Sequence, residues 1–161
     1  MKNWECLNYL PKNINKNEYI DYLSRCQYPL WLGMIHFQES SFNTNAGNGS
    51  YIGLGQHHPD FIRECGYSIK EYKSSWKVQL YVSLEYIKKH VNRVIKGPHE
   101  LYAYWLKSNW NGENNIYCRN SRLPNGKNPY IGNRRLDLDK NGCIEIKPDF
   151  VNRFKKLLNV Y

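Results

Sequence analysis

One stretch constrains the chain more than any other: Trp31 to Gln56, WLGMIHFQESSFNTNAGNGSYIGLGQ. Its first part, with Leu30, Trp31, Leu32, Met34, Ile35 and Phe37, makes a helix that is apolar on nearly every side. Such a helix is stable only when other elements cover it, so it belongs at the centre of a helical fold. Trp31, Ile35 and Glu39 fall at i, i+4 and i+8 and share one face. Glu39 therefore sits on an apolar face near the C-terminal end of the helix. Apolar surroundings penalise a charged carboxylate, and the negative end of the helix dipole repels it. Both effects favour the protonated form, which is the state a general acid requires.

The rest of the chain supplies further helices around this one. Asn15 with Glu18 forms a capping-box pattern that opens a short helix ended before Pro29. The central helix follows from Leu30. Ser40 to Tyr51 is a polar loop, and Gly53 to Gln56 reads GLGQ. Pro59 stands where a helix begins and Gly66 where it ends, with Phe61, Ile62 and Cys65 inward. Trp76, Leu80, Leu84, Ile87 and Val91 keep helical spacing, which predicts a helix from Trp76 to about Ile95, stopped by Gly97-Pro98. Another helix is expected over His99 to Ser108. Residues 112–147 carry turn chemistry at Pro124, Asn125-Gly126, Pro129, Gly132 and Asn141-Gly142, and read as a long loop with one small hairpin at most. Pro148 opens a last amphipathic helix with Phe150, Phe154, Leu157 and Leu158 on one face.

Two motifs in this frame resemble a known family. ESSFN at Glu39–Asn43 and GLGQ at Gly53–Gln56 are similar to the paired signature of lysozyme-like lytic transglycosylases of the soluble lytic transglycosylase type. That family commonly has Met at the third place of the second motif, where this chain has Gly55. The resemblance extends to the helix after the Gln turn, the long helix, and an Ala103-Tyr104 pair in LYAYWLKSNWNG, where Trp105 replaces the family's Asn. It is strongest over residues 30–112. It implies a mainly α (α+β lysozyme-like) fold with a substrate cleft across Glu39. It further implies that Glu39 is the catalytic acid, then base. By the same resemblance Gln56 hydrogen-bonds the sugar, Ser40 contacts substrate, and the Tyr104 hydroxyl positions Glu39. Tyr51, Trp110 and Tyr117 are candidates for stacking on sugar faces, although most aromatics in so aromatic a chain are core.

The reaction that the resemblance implies is cleavage of the β-1,4 bond between N-acetylmuramic acid and N-acetylglucosamine. No Asp or Glu lies between Ser40 and Pro59; the next acids are Asp60 and Glu64. Hydrolytic glycosidases generally use a second carboxylate. Its absence nearby favours a non-hydrolytic outcome, for which the resemblance implies a 1,6-anhydromuramic product. A hydrolytic muramidase, and a non-catalytic wall-binding or phage structural module on the same fold, are the alternatives.

Other features carry weaker signals. His57-His58 beside Pro59 lack partners at a metal-ligand spacing, so a helix-start or surface role is expected. Asp137, Asp139 and Asn141-Gly142 match the opening of a calcium loop, D-x-D-x-N-G. The twelfth position, which should be a bidentate acid, is Pro148, with Asp149 one place late. A plain Asx turn is therefore preferred over a calcium site, and no metal or other cofactor is expected. Five cysteines without a C-x-x-C pair exclude a recognised zinc pattern and read mostly as small buried hydrophobes of a reducing compartment, with one or two disulfides left open.

The length of 161 residues suits a single domain spanning 1–161. The formal charge of +9 favours an anionic partner. The candidates are nucleic acid, acidic lipid and an anionic cell wall. The cations are scattered rather than clustered, which argues against nucleic acid, and the resemblance implies peptidoglycan glycan strands. No stretch is long and apolar enough for a membrane span. The N-terminus lacks an apolar signal core, which points to a phage-borne enzyme, virion-associated or held in the host cytoplasm before release, with other phage virion proteins as further partners.

Overall fold

In a computed structural model, residues 5–158 are described. The chain is mainly helical, and its strands, among the described residues, form two separate two-stranded antiparallel sheets. It folds as two compact units, Met1–Arg93 and Val94–Tyr161. The stretch that resembles the transglycosylase family thus spans all but the start of the first unit and the opening helix of the second.

The first unit holds α1 (Lys16–Leu23), α2 (Pro29–Ser40), α3 (Pro59–Glu64), α4 (Ile69–Ser74) and α5 (Trp76–His90), preceded by a 3-10 turn at Glu5–Tyr9. Asn15 caps α1 by accepting the Glu18 amide at 3.0 Å. Glu18 turns its carboxylate to an ion pair with Lys77. α2 is the buried helix that its composition demands: Leu32, Met34, Ile35 and His36 are at most 1% exposed. Burying each aliphatic side chain here contributes on the order of 2 kcal/mol. The helix packs against α1 and the opening 3-10 turn.

Between α2 and α3 lies a tight hairpin of β1 (Gly47–Asn48) and β2 (Tyr51–Ile52), with Gly47 opposite Ile52. α3 starts at Pro59, as expected. α4 was not anticipated, although Ser68 and Glu71 carry its signature. The Ser68 hydroxyl accepts the Glu71 amide, and the Glu71 carboxylate accepts the Ser68 amide, a complete capping box. Ile62, Tyr72 and Val82 from α3, α4 and α5 form one core cluster, with Ile52, Phe61 and Val78 packed on it.

α5 ends at His90, five residues short of the expected Ile95. Val91 adopts an extended conformation (φ −83°, ψ 97°). The residues beyond it, Asn92, Arg93 and Val94, include weak helix formers, and the unit boundary falls among them. Ile95 is buried in the second unit instead of continuing the helix.

The second unit contains α6 (Pro98–Leu106), β3 (Asn115–Cys118), α7 (Pro129–Asn133), β4 (Cys143–Glu145) and α8 (Val151–Leu158), the last entered through a wide turn at Ile146–Phe150. The stretch 112–147, expected as a long loop with one small hairpin at most, contains the strand pair β3 and β4 and, beyond the expectation, the short helix α7 and a 3-10 turn at Arg134–Leu136. β3 and β4 pair antiparallel across it, with Cys118 opposite Cys143. Those two cysteines form a disulfide. One such bridge is within the one or two disulfides that the sequence left open; of the free thiols, Cys6 is buried as expected, whereas Cys26 and Cys65 are half-buried. Phe150 and Phe154 pack edge-on against Tyr102 of α6, at 5.0 and 5.3 Å. The side chains of Leu157 and Leu158 lie outside the described set.

Candidate functional site

The last turn of α2 presents Glu39, half-buried, followed at once by Ser40. The helix is stopped by two residues in the left-handed region, Ser41 (φ 52°) and Phe42 (φ 61°). A bulky residue rarely adopts this conformation, which costs on the order of 1–3 kcal/mol and persists only under tertiary constraint. The constraint is visible: Phe42 is fully buried, edge-on to Tyr19 at 5.8 Å and beside Phe37 at 5.6 Å.

Ser40 joins the helix end to the Gly53–Gln56 turn. Its hydroxyl lies 2.9 Å from the His36 carbonyl oxygen and 2.9 Å from that of Leu54, and its single proton is shared between them. The turn is held from behind by Gln79 of α5. The Gln79 Oε1 accepts the Leu54 amide at 2.8 Å, and its Nε2 donates to the carbonyls of Thr44 and Tyr72. Gln56, at φ 50°, donates its side-chain amide back to Gly53 and Ala46. Its Nε2 is therefore engaged in holding the turn.

Beneath the turn runs a buried polar chain. The Tyr19 hydroxyl is 2.6 Å from His36 Nδ1, His36 Nε2 is 2.8 Å from Ser83 Oγ, and Ser83 Oγ is 2.8 Å from His57 Nε2. One assignment consistent with neutral rings has Tyr19 donating to His36, His36 to Ser83 and Ser83 to His57. Burial pushes the pKa of His36 down to about 3, and that of His57 equally low with the neighbouring His36 adding to the effect. Burial also raises the Tyr19 hydroxyl well above its ordinary value. All the titratable members of the chain are thus held in their neutral forms near neutral pH.

This chain accounts for Gly55, the departure from the family pattern. A Cβ at Gly55 would fall 2.5 Å from His57 Nε2 and 2.9 Å from Ser83 Oγ. The room that a larger side chain would take is filled by the His57–Ser83 pair. The expectation of a helix-start or surface role fits His58, which caps α3 by accepting the Asp60 amide, and is corrected for His57, which is 3% exposed. Sequence reasoning also passed over His36, Gln79 and Ser83. Their signal was the presence of polar side chains on the inward, otherwise apolar faces of α2 and α5.

The remaining candidates fall in different settings. Asp60 is an exposed partner of Arg63 at 2.9 Å, and Glu64 pairs with Lys89, so both nearby acids are engaged on the surface. Tyr51, on β2, is 50% exposed and free to meet a ligand with much of its ring. In the second unit Tyr104 is fully buried, edge-on to Trp110 at 5.3 Å. Trp110 is 5% exposed and donates its indole N–H to the Glu113 carbonyl, so it is packed as core and offers no open stacking face. Tyr117 donates its hydroxyl to the Leu106 carbonyl. Of the weak calcium trio, Asp137 and Asp139 come together, while the Asn141 oxygen accepts the Cys143 amide.

Comparison with protein-family models, curated proteins and solved structures finds no match for this chain.

Proposed function

We propose that the chain is a peptidoglycan-cleaving enzyme of lysozyme-like fold, acting as a lytic transglycosylase with Glu39 as its general acid. The observation that carries this reading is the Ser40 hydroxyl on the Leu54 carbonyl oxygen. It joins two sequence motifs, ESSFN and GLGQ, into one rigid unit beside a single carboxylate at the end of a buried helix. Left-handed residues at Ser41, Phe42 and Gln56 cluster in the same unit, as strain does at functional sites. The net charge of +9 suits an anionic wall.

In this reading Glu39 donates its proton to the glycosidic oxygen as the bond to the muramic acid anomeric carbon breaks. The 6-hydroxyl of that same sugar attacks the anomeric carbon. Glu39, now a carboxylate, removes the hydroxyl proton, leaving a 1,6-anhydro ring and a regenerated acid. The nucleophile is tethered to the reacting ring, an arrangement worth an effective concentration on the order of 10⁵ M in well-oriented cases. The surface pairing of Asp60 and Glu64 is consistent with a reaction that needs no second carboxylate.

The test is digestion of purified peptidoglycan followed by mass spectrometry, with Glu39→Gln alongside. Anhydro-muropeptides from the wild type, and a loss of about 10²–10⁴-fold in Glu39→Gln, are expected. Products with reducing ends only would make the enzyme a muramidase. Equal lysis by Glu39→Gln would remove Glu39 from catalysis, and no lysis by either would leave a binding module.

A further inference from the structure

We propose that the loop from Asp137 to Asp149 in the second unit is a calcium site, with the carboxylates of Asp137, Asp139 and Asp149 as its protein ligands. One oxygen from each lies within 4.8 Å of the others. Calcium–oxygen distances of 2.3–2.6 Å place ligands up to about 5 Å apart across the ion, so all three fit one coordination sphere. The donors are all oxygen, which selects a hard cation over zinc or copper.

The second observation is on Asp137 itself. The residue is 6% exposed. Its Oδ2 accepts the Tyr130 hydroxyl at 2.7 Å and the Gly142 amide at 2.9 Å. Its Oδ1 is buried and makes no hydrogen bond of normal geometry among the described residues, although the Lys140 amide and the Asp139 side chain also act on this carboxylate. A buried carboxylate oxygen without a well-formed hydrogen bond costs free energy that a cation would recover. Among the described residues none of the three acids is in a salt bridge.

The other two acids are held in place by backbone. Asp149 accepts the Leu138 amide at 2.7 Å and the Glu145 amide at 2.9 Å. Asp139 accepts the amide and the side-chain N–H of Asn141. Gly142, at φ 94°, makes the sharp turn that a calcium loop needs after its third polar position. The missing twelfth-position acid, which favoured a plain turn in the sequence, is supplied by Asp149 one place later. The bound ion would tie the loop before β4 to the turn that enters α8.

The experiment uses the full chain stripped with chelator. Calcium is titrated by calorimetry, and thermal melts are compared in millimolar calcium and in chelator. One ion per chain and a higher melting temperature with calcium are expected. Asp139→Asn, an exposed change that leaves the backbone contacts of Asp149 intact, should keep the circular dichroism spectrum and weaken calcium affinity more than about 10-fold. Absence of both binding heat and a calcium-dependent melting shift overturns the site. Wild-type affinity in Asp139→Asn overturns the ligand set, and equal affinity for magnesium overturns the assignment to calcium.

Discussion

Acidification from pH 7 to pH 5 is expected to cost the first unit up to about 4 kcal/mol of stability, because two histidines are buried neutral within it. His36 and His57 are 0% and 3% exposed, and both are held down to about pH 3 in the folded state. In the unfolded chain each titrates near 6.5. Between those values the unfolded state binds protons that the folded state refuses, so stability rises with pH and falls on acidification. The slope approaches about 1.4 kcal/mol per pH unit for each ring once the pH is below 6.5. Integrated from pH 7 to 5, that is about 2 kcal/mol per histidine. Partial burial of His90, beside the like charge of Lys89, lowers its pKa too and adds in the same direction. Against a typical domain stability of about 5–15 kcal/mol the effect is large. Urea denaturation at pH 7, 6 and 5, followed by far-ultraviolet circular dichroism, measures it. Histidine ring NMR signals provide the second readout, and those of His36 and His57 should stay at their neutral positions down to pH 5 in the folded protein. A denaturation midpoint that does not move between pH 7 and 5, or either ring titrating near 6.5 while folded, refutes the reasoning.

Two further predictions test the packing. Gly55→Ala should lower stability by about 1–3 kcal/mol, since its methyl group must displace His57 or Ser83; an unchanged urea midpoint would show that the pair gives way freely. Replacing Cys118 and Cys143 together by Ala opens a loop of 25 residues' separation, worth about 3.5 kcal/mol by chain entropy. Denaturation of the second unit in both proteins, under non-reducing conditions, should show this loss, and a difference below about 1 kcal/mol would mean that the bridge contributes little through the unfolded chain.

Much of the helical frame was legible because its signals are local. Asn15 bonds an amide three residues on, Pro59 preorganises the first turn of α3, and the apolar run from Leu30 to Phe37 has no stable place except the core. The same locality placed Glu39 and Ser40 at the end of that helix. The capping box at Ser68 and Glu71 was equally local and could have been read in advance.

What only the tertiary structure decided are the pairings between residues far apart in the chain. His36 and His57 meet at Ser83 across separations of 47 and 26 residues, and no periodicity in the sequence says that these rings share one hydroxyl. Gly55 reads as a departure from a motif until that hydroxyl and His57 occupy the space beside it. Cys118 and Cys143 are two of five cysteines that could pair in several ways, and the strand register chooses between them. Asp149 misses the expected spacing by one residue, yet the backbone amides of Leu138 and Glu145 bring it back to Asp137 and Asp139. Local sequence fixes where a backbone turns, because those hydrogen bonds span three or four residues. Which polar side chains are buried depends on partners that only the folded chain brings together, since a buried polar group is tolerated only where one is waiting.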